Sequence, residues 1–468
     1  MARLRHMVVI VPGIGGSVLE RGGTAVWGQG PLGIAARALD PGVLARFEGD
    51  GIRATGLVHA PAVLPGFTAL RAYDELVRRI VNRFAGVVVD HCHPDAQPVA
   101  GANVLCVPYD FRRSLVDCAD QVAATVGARL DAAGLSDAER RGRVVVIGHS
   151  MGGLVARWWL GPGGGGPLGH ALLTLGTPHR GAPKALEWLV NGVQLKGLRL
   201  AGATEVIRTW PAAYELLPRY EAVLDTATGR HLRPHELVVD GFDHQAAGQA
   251  FAVHQDIERA WDGAGDQPAV TAMLGRYQPT LERASLTEGR LRVEKQAAEW
   301  LPDTGWAGDG SVPCLSAVPL EQAAGPPLPS VRHSALPELE AVVEWLEALE
   351  APELGAVRGP GHARPTLALD VDEWFPAGEP IEVAALARGA GEELEGPEAG
   401  ARLWVTARPA DGGRAVVVEL QVPTGAGGRW TGEMAGLAPG TYELALSGPG
   451  RAGGEAAVVR EVIEVVEA

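Results

Sequence analysis

The stretch Arg143–Leu160 reads RVVVIGHSMGGLVARWWL. Val144, Val145, Val146 and Ile147 form a continuous β-branched run, which predicts a parallel strand covered on both faces. The run breaks at Gly148-His149-Ser150-Met151-Gly152-Gly153, and Leu154, Val155, Trp158 and Trp159 then recur at helical spacing. Strand, sharp turn and helix are the setting in which G-x-S-x-G makes a nucleophile elbow, where a strained serine needs very small neighbours. Ser150 is therefore expected above the sheet, with the helix N-terminus aimed at any negative charge that develops beside it.

Length and composition frame this reading. A chain of 468 residues is too long for one small core and points to two domains. Its 46% hydrophobic and 21% charged residues are those of an ordinary globular protein. The 41 basic and 56 acidic residues leave a net charge of −15, which disfavours a nucleic-acid partner and constitutive adhesion to anionic membranes. The opening MARLRHMVVIVPGIGG runs from a short basic stub directly into a strand, without the pattern of a secretory signal. No run of about 18 apolar residues occurs, so no transmembrane helix is expected. Cys92, Cys106, Cys118 and Cys314 show no C-x-x-C spacing; they are expected to be reduced and mostly buried, in a cytoplasmic protein.

Met7–Val11 is a second β-branched run, and it ends in the glycine-rich loop Pro12–Ser17. Such a loop lets backbone N–H groups face a site without obstruction, as an oxyanion hole requires; the donors are assigned to Ile14 and Met151. Val26–Leu64 has no sustained period and reads as irregular loop with short elements, covering the site mouth. Arg71–Phe84 reads as an amphipathic helix, and Val87–Val89 and Val104–Val107 as short strands. His91-Cys92-His93 lacks a matching distant pair of ligands, so no metal is assigned. Asp110 and Arg112, in VPYDFR, are read as structural. Ala171–Leu175 is a further strand, followed by GTPHRGA with His179 as a candidate base. Strands alternating with helices predict a mainly parallel, doubly wound sheet. Residues 191–290 interrupt this rhythm and read as a helical insertion, clearest over Ala246–Trp261; an apolar cap over the site is favoured against a subdomain packed on itself.

The blocks VPGIGGS, VPYDFR, GHSMGGLVAR and LLTLGTPHRGAPKAL, in this order, resemble the lecithin:cholesterol acyltransferase-like branch of the α/β-hydrolases. That branch also takes in phospholipid:diacylglycerol acyltransferases, lysosomal-type phospholipases and bacterial lipase-like proteins. PAAYELLP at Pro211–Pro218 and GDGSVP at Gly308–Pro313 look like two further blocks, so the resemblance spans residues 7–350. It implies an α/β-hydrolase fold with a phospholipase A or acyltransferase activity. The absence of a secretion signal and of paired cysteines sets the chain apart from extracellular lipases.

Chain order in that fold is nucleophile, acid, histidine. Asp309, between two glycines of GDGSVP, matches the family's acid, with Asp303 as its neighbouring competitor. His333 precedes a helix over Glu338–Leu349 and stands where the template wants the base. His149 points away from the turn, and His179 precedes Asp309 and breaks the order. Ser150, Asp309 and His333 then define a serine esterase or lipase-type acyl hydrolase, or an O-acyltransferase, on lipid or other hydrophobic acyl esters, working through an acyl-enzyme without a cofactor. An esterase on small soluble esters and a catalytically inert binding protein are the alternatives. Transient membrane contact is expected through the cap.

The hydrolase domain is expected over residues 1–350, a Pro/Gly/Ala-rich linker over 351–365 and a second domain over 366–468. Short apolar runs at Thr366–Val371, Pro380–Ala384, Arg402–Ala407, Ala415–Val422, Thr441–Leu446 and Ala457–Val466 predict an immunoglobulin-like β-sandwich, with Trp404 and Trp430 as core aromatics. It carries no catalytic constellation, and such a module is expected to bind an unidentified protein partner, a polymer or a membrane-associated protein, or to stabilise the enzyme.

Overall fold

The computed structural model describes residues 2–28, 41–45, 51–59, 62–64, 68–70, 73–195, 198–199, 201–263, 265–301, 307–321, 330–350, 366–388, 402–421, 429–448 and 458–467. The predicted linker and Asp303 lie outside them. Six parallel strands form the centre: β1 (Met7–Val11), β2 (Val89–Asp90), β3 (Val104–Cys106), β4 (Val144–His149), β5 (Gly169–Leu175) and β6 (Ala269–Met273), in the spatial order β6-β5-β4-β1-β3-β2. The N-terminal strand is thus central, with Val9 paired to Leu105 on one side and to Val146 on the other.

Alternation along these strands builds two cores. Val9, Val11, Leu105, Val144, Val146 and Leu172 face one side, against the helices Leu115–Ala132 and Met151–Leu160. Val8, Ile10, Val104, Val145, Ile147 and Leu173 face the other, against Asp74–Arg83 and Glu340–Glu350. Burial on both faces is why these strands read as unbroken apolar runs. The fold is an α/β-hydrolase sheet, and all four cysteines are buried and in the thiol form. Among the described residues no helix is long and apolar enough to cross a membrane.

The short elements expected within Val26–Leu64 are strands: Ile52–Leu57 pairs with Ser17–Arg21, which pairs with Thr24–Trp27, and Ala62–Leu64 pairs with Thr68–Leu70. One expectation is corrected: residues 191–290 are not one helical insertion, because β6 falls inside that span and completes the central sheet. The helices Ala201–Arg208, Pro211–Glu215 and His244–Ala260 precede it, while Val223–Asp225 and His231–Leu232 join the hairpin of Arg283–Thr287 and Arg290–Glu294 in a separate four-stranded sheet. β6 is an edge strand buried only at its inner end, so it lacks the apolar run that marks its neighbours.

The C-terminal region is a β-sandwich. Its strands are β7 (Thr366–Asp370), β8 (Trp374–Pro376), β9 (Ile381–Arg388), β10 (Leu403–Pro409), β11 (Val416–Leu420), β12 (Arg429–Met434), β13 (Gly440–Ser447) and β14 (Val458–Val466). They make a three-stranded sheet, β7-β9-β12, and a five-stranded sheet, β8-β14-β13-β10-β11. Trp430 lies in the shared core, whereas Trp404 is half-buried, on the alternate side of a strand whose Leu403 and Val405 face inward.

Candidate active site

The elbow follows from close packing. Ser150 has φ 53° and ψ −127°, and its N–H donates to Leu175 O at 2.9 Å. That backbone conformation is strained for any residue but glycine, and it persists because the neighbourhood leaves no alternative. A Cβ on Gly152 would lie 2.4 Å from the carbonyl oxygens of Val11 and Pro12, and one on Gly148 would lie 2.7 Å from Gly153 Cα. The motif's glycines are therefore where strand, turn and helix touch. The ten-residue helix Met151–Leu160 starts immediately after Ser150, so the Met151 N–H is among those with no partner inside the helix and is free to meet an anion.

The acid and the histidine meet on the other side. His333 Nδ1 lies 2.7 Å from Asp309 Oδ2, and both residues are buried. Asp309 Oδ1 accepts from the backbone N–H groups of Ser311 at 3.0 Å and Val312 at 2.8 Å, and the His333 N–H donates to Asp309 O at 2.8 Å. Thr280 Oγ1 accepts from the N–H groups of Gly308 and Gly310, which pins the turn that carries the acid. With Nδ1–H given to a carboxylate, the imidazole presents Nε2 as its free acceptor. Ser150 and His333 line one pocket together with Ile14, Trp188, Leu216 and Val312. The structure thus brings together Ser150, Asp309, His333, Ile14 and Met151.

The other sequence candidates fall elsewhere. His179 is buried, with Nδ1 3.3 Å from an Arg157 nitrogen and Nε2 3.0 Å from Thr174 Oγ1. Burial, then Arg157 and Arg180, holds its pKa well below the usual histidine value. Arg112 is fully buried and forms a two-pronged pair with Asp110 at 2.8 and 2.7 Å, a structural role as expected. No group of three metal-ligating side chains occurs among the described residues.

One arrangement has no signature in the sequence. The Gly13 N–H donates to Tyr73 Oη at 2.9 Å, Tyr73 O–H donates to His149 Nδ1 at 2.9 Å, and His149 Nε2–H donates to His333 O at 3.2 Å. The carbonyl can only accept, which fixes the His149 tautomer. This chain ties the glycine-rich loop, the elbow and the histidine loop together. Burial, with His333 beside it, lowers the His149 pKa to about 3, so the ring is neutral. Trp188 was also not foreseen: it sits in a π-helical turn, Glu187–Asn191, a rare distortion that often marks functional sites. Leu216 belongs to PAAYELLP, the block whose contribution the sequence left unassigned.

The fold and the elbow define an α/β-hydrolase. Residues 84–259 match the family model for lecithin:cholesterol acyltransferase, so the resemblance read from the motifs holds over the stretch that contains VPYDFR, the elbow and GTPHRGA. This match supports an enzyme of the acyl-ester hydrolase and acyltransferase kind. Among solved structures, the chain is similar to the Bacillus licheniformis lipase BlEst2 in its propeptide form, at 10% identity over 98% of this chain and 93% of that one, with a TM-score of 0.35. It is also similar to a CARDB domain from Pyrococcus furiosus, at 12% identity over 24% of this chain and 95% of that one, with a TM-score of 0.15. No curated protein matches the chain.

Proposed function

We propose that the protein is a serine-dependent acyl hydrolase or O-acyltransferase that takes lipid or other hydrophobic acyl esters. The observation that carries this reading is the strained Ser150 sharing a pocket with a His333 whose Nδ1 is held 2.7 Å from Asp309. His333 Nε2 takes the Ser150 proton as Oγ bonds to the ester carbonyl carbon. The N–H groups of Ile14 and Met151 receive the oxyanion, and the dipole of the helix that follows Ser150 adds to them. Collapse breaks the bond to the alcohol, which leaves with the proton from His333. Water, or an acceptor alcohol, then gives its own proton to His333 and takes the acyl group from Ser150. Asp309 keeps the imidazole in the tautomer this requires and offsets its charge.

The pocket lining is mostly apolar, with Ile14, Trp188, Leu216 and Val312, and the Lys184 that also lines it is paired with Glu373 at 2.8 Å, which favours an apolar acyl group. The helices between residues 201 and 260 supply the cap, through which the enzyme meets lipid at a surface. The four buried cysteines, all in the thiol form, favour a reducing, cytoplasmic setting. The test is hydrolysis of p-nitrophenyl esters from acetyl to palmitoyl, with fluorophosphonate labelling of the wild type and of Ser150→Ala. Labelling lost in Ser150→Ala, with a rate that rises with chain length, is the expected result. A rate confined to short chains makes it a small-ester esterase, and a wild type that neither labels nor turns over overturns the enzyme reading.

A further inference from the structure

The catalytic histidine is flanked by two residues that reach out of the hydrolase domain. Arg332 is buried, and its Nε donates to Glu461 Oε2 on β14 while its Nη1 donates to Leu369 O on β7 at 2.7 Å. On the other flank, Ser334 Oγ donates to Glu461 Oε1 at 3.1 Å. A single carboxylate of the sandwich therefore holds the residues immediately before and after His333. The same guanidinium lies over the acid turn, since a Cβ on Gly310 would come within 3.1 Å of Arg332 Cζ.

The neighbouring contacts follow one logic. β7 is an edge strand of its sheet, and an edge leaves main-chain groups to be covered. Leu367 O accepts from Ser330 Oγ and from Gln278 Nε2, and the Leu369 N–H donates to Gln278 Oε1 at 3.1 Å. Gln278 in turn takes Gly308 O through its own N–H at 3.0 Å. Gln278, together with Ser330 and Arg332 of the loop that carries His333, thus serves as the missing neighbour of β7, and the Arg332 guanidinium takes its partners Glu461 and Leu369 from the sandwich.

We propose that Glu461 is a positioning residue for the proposed catalytic histidine, so that the C-terminal β-sandwich completes the active site rather than serving as an appended module. The inference rests on the reading of Ser150, Asp309 and His333 as the catalytic machinery. The charged and titratable groups that face the Arg332–Glu461 pair and His333 are Asp309 and His149 from the hydrolase domain and Glu373 and Asp370 from the sandwich. Burial opposes the Arg332 charge, and Glu461 together with Glu373 outweighs it, so the guanidinium is held more firmly protonated than usual. Removing the Glu461 charge leaves that cation with only Glu373 and Asp370 to offset it beside the imidazole, which disfavours the imidazolium.

The experiment uses the full chain. Wild type, Glu461→Gln, Glu461→Asp and Ser334→Ala are assayed on the best p-nitrophenyl ester from pH 5 to 9, with circular dichroism to establish folding. Glu461→Gln is expected to lower kcat on the order of 10- to 100-fold with KM within about twofold, as a displaced catalytic group does. The acid limb of its kcat/KM profile moves to lower pH, and Glu461→Asp restores part of both. Lys295→Ala, which removes a pair between Lys295 and Asp370 at the same interface, leaves kcat and the profile unchanged. A folded Glu461→Gln with wild-type kcat and pH profile overturns the proposal while leaving the enzyme reading intact. If Glu461→Gln does not fold, Ser334→Ala decides: a fall in kcat at constant KM supports the proposal, and wild-type kinetics overturn it. A wild type without turnover or label removes the proposal together with the reading it rests on.

Discussion

The two sides of the candidate site are built by different means. The nucleophile side is local: the run Val144–Ile147, the turn around Ser150 and the helix to Leu160 are contiguous, and their glycines are set by contacts with β1 and with the helix itself. The acid and base side is assembled from afar. Asp309 and His333 stand on loops with little regular structure, held by Thr280, Gln278, His149 and a sandwich residue 129 positions beyond Arg332. A strained serine needs rigid local packing, whereas a histidine that must pass a proton needs orientation, which distant partners supply through hydrogen bonds.

That contrast is open to attack at several points. Asp309→Asn has the largest expected effect, a loss in kcat of about 10⁴-fold with the turn kept, because the amide oxygen still accepts from Ser311 and Val312 while the imidazole is offered the wrong partner. Steady-state kinetics beside a melting curve check it, and a loss of stability in place of kcat would show that the base side is not organised by orientation. Gly152→Ala strikes the other side. With a Cβ 2.4 Å from two carbonyl oxygens, it should cost roughly 3 kcal/mol or more in urea unfolding, and no change in the sandwich compensates it. Tyr73→Phe cuts the link between the sides, removing the acceptor for the Gly13 N–H and the donor to His149, at about 1–3 kcal/mol. A stability unchanged by Tyr73→Phe would mean that the two sides stand independently.

A further effect concerns pH. Burial raises the Glu464 pKa from 4.5 to about 7, against the hydrogen bond from Thr441. Between these values the folded sandwich binds the proton that the unfolded chain releases, so stability is fullest below pH 4.5 and declines as pH rises to about 7, by at most about 1.4 kcal/mol per unit. His149 acts in the opposite sense: its folded pKa of about 3 lies below 6.5, so stability is full above pH 6.5 and is lost as the pH falls toward 3. Urea midpoints of wild type and Glu464→Gln at pH 5 and pH 8 should differ far more at the higher pH. A difference of equal size at both values would rule out a buried, protonated Glu464.

What was legible in the sequence follows the same division. The elbow could be read because strand, turn and helix are contiguous, and the Ile14 loop because it adjoins an apolar run. Asp309 and His333 needed the family's chain order, since nothing near GDGSVP or VRHSALP states which partners they meet. β6 was absorbed into the supposed cap because Ala269–Met273 is half-exposed at an edge. In the sandwich, β8 is three residues ending in Pro376 and β12 contains Gly432, so neither resembles a strand by composition. The Tyr73–His149–His333 chain and the Arg332–Glu461 pair join residues far apart in sequence, and such pairings leave no periodic trace.

The Arg332–Glu461 pair also sets a schedule. A ribosome that has just added His333 must still add the residues up to Glu461, which at about 5–20 residues per second takes roughly ten seconds. Through that interval the emerging hydrolase domain already contains Ser150, Asp309 and His333, yet the arginine beside the histidine still lacks the carboxylate it pairs with. On the proposed role of Glu461, full activity is expected only once translation has passed that residue, and a chain truncated before it is expected to carry Ser150, Asp309 and His333 with the histidine loop short of its carboxylate partner.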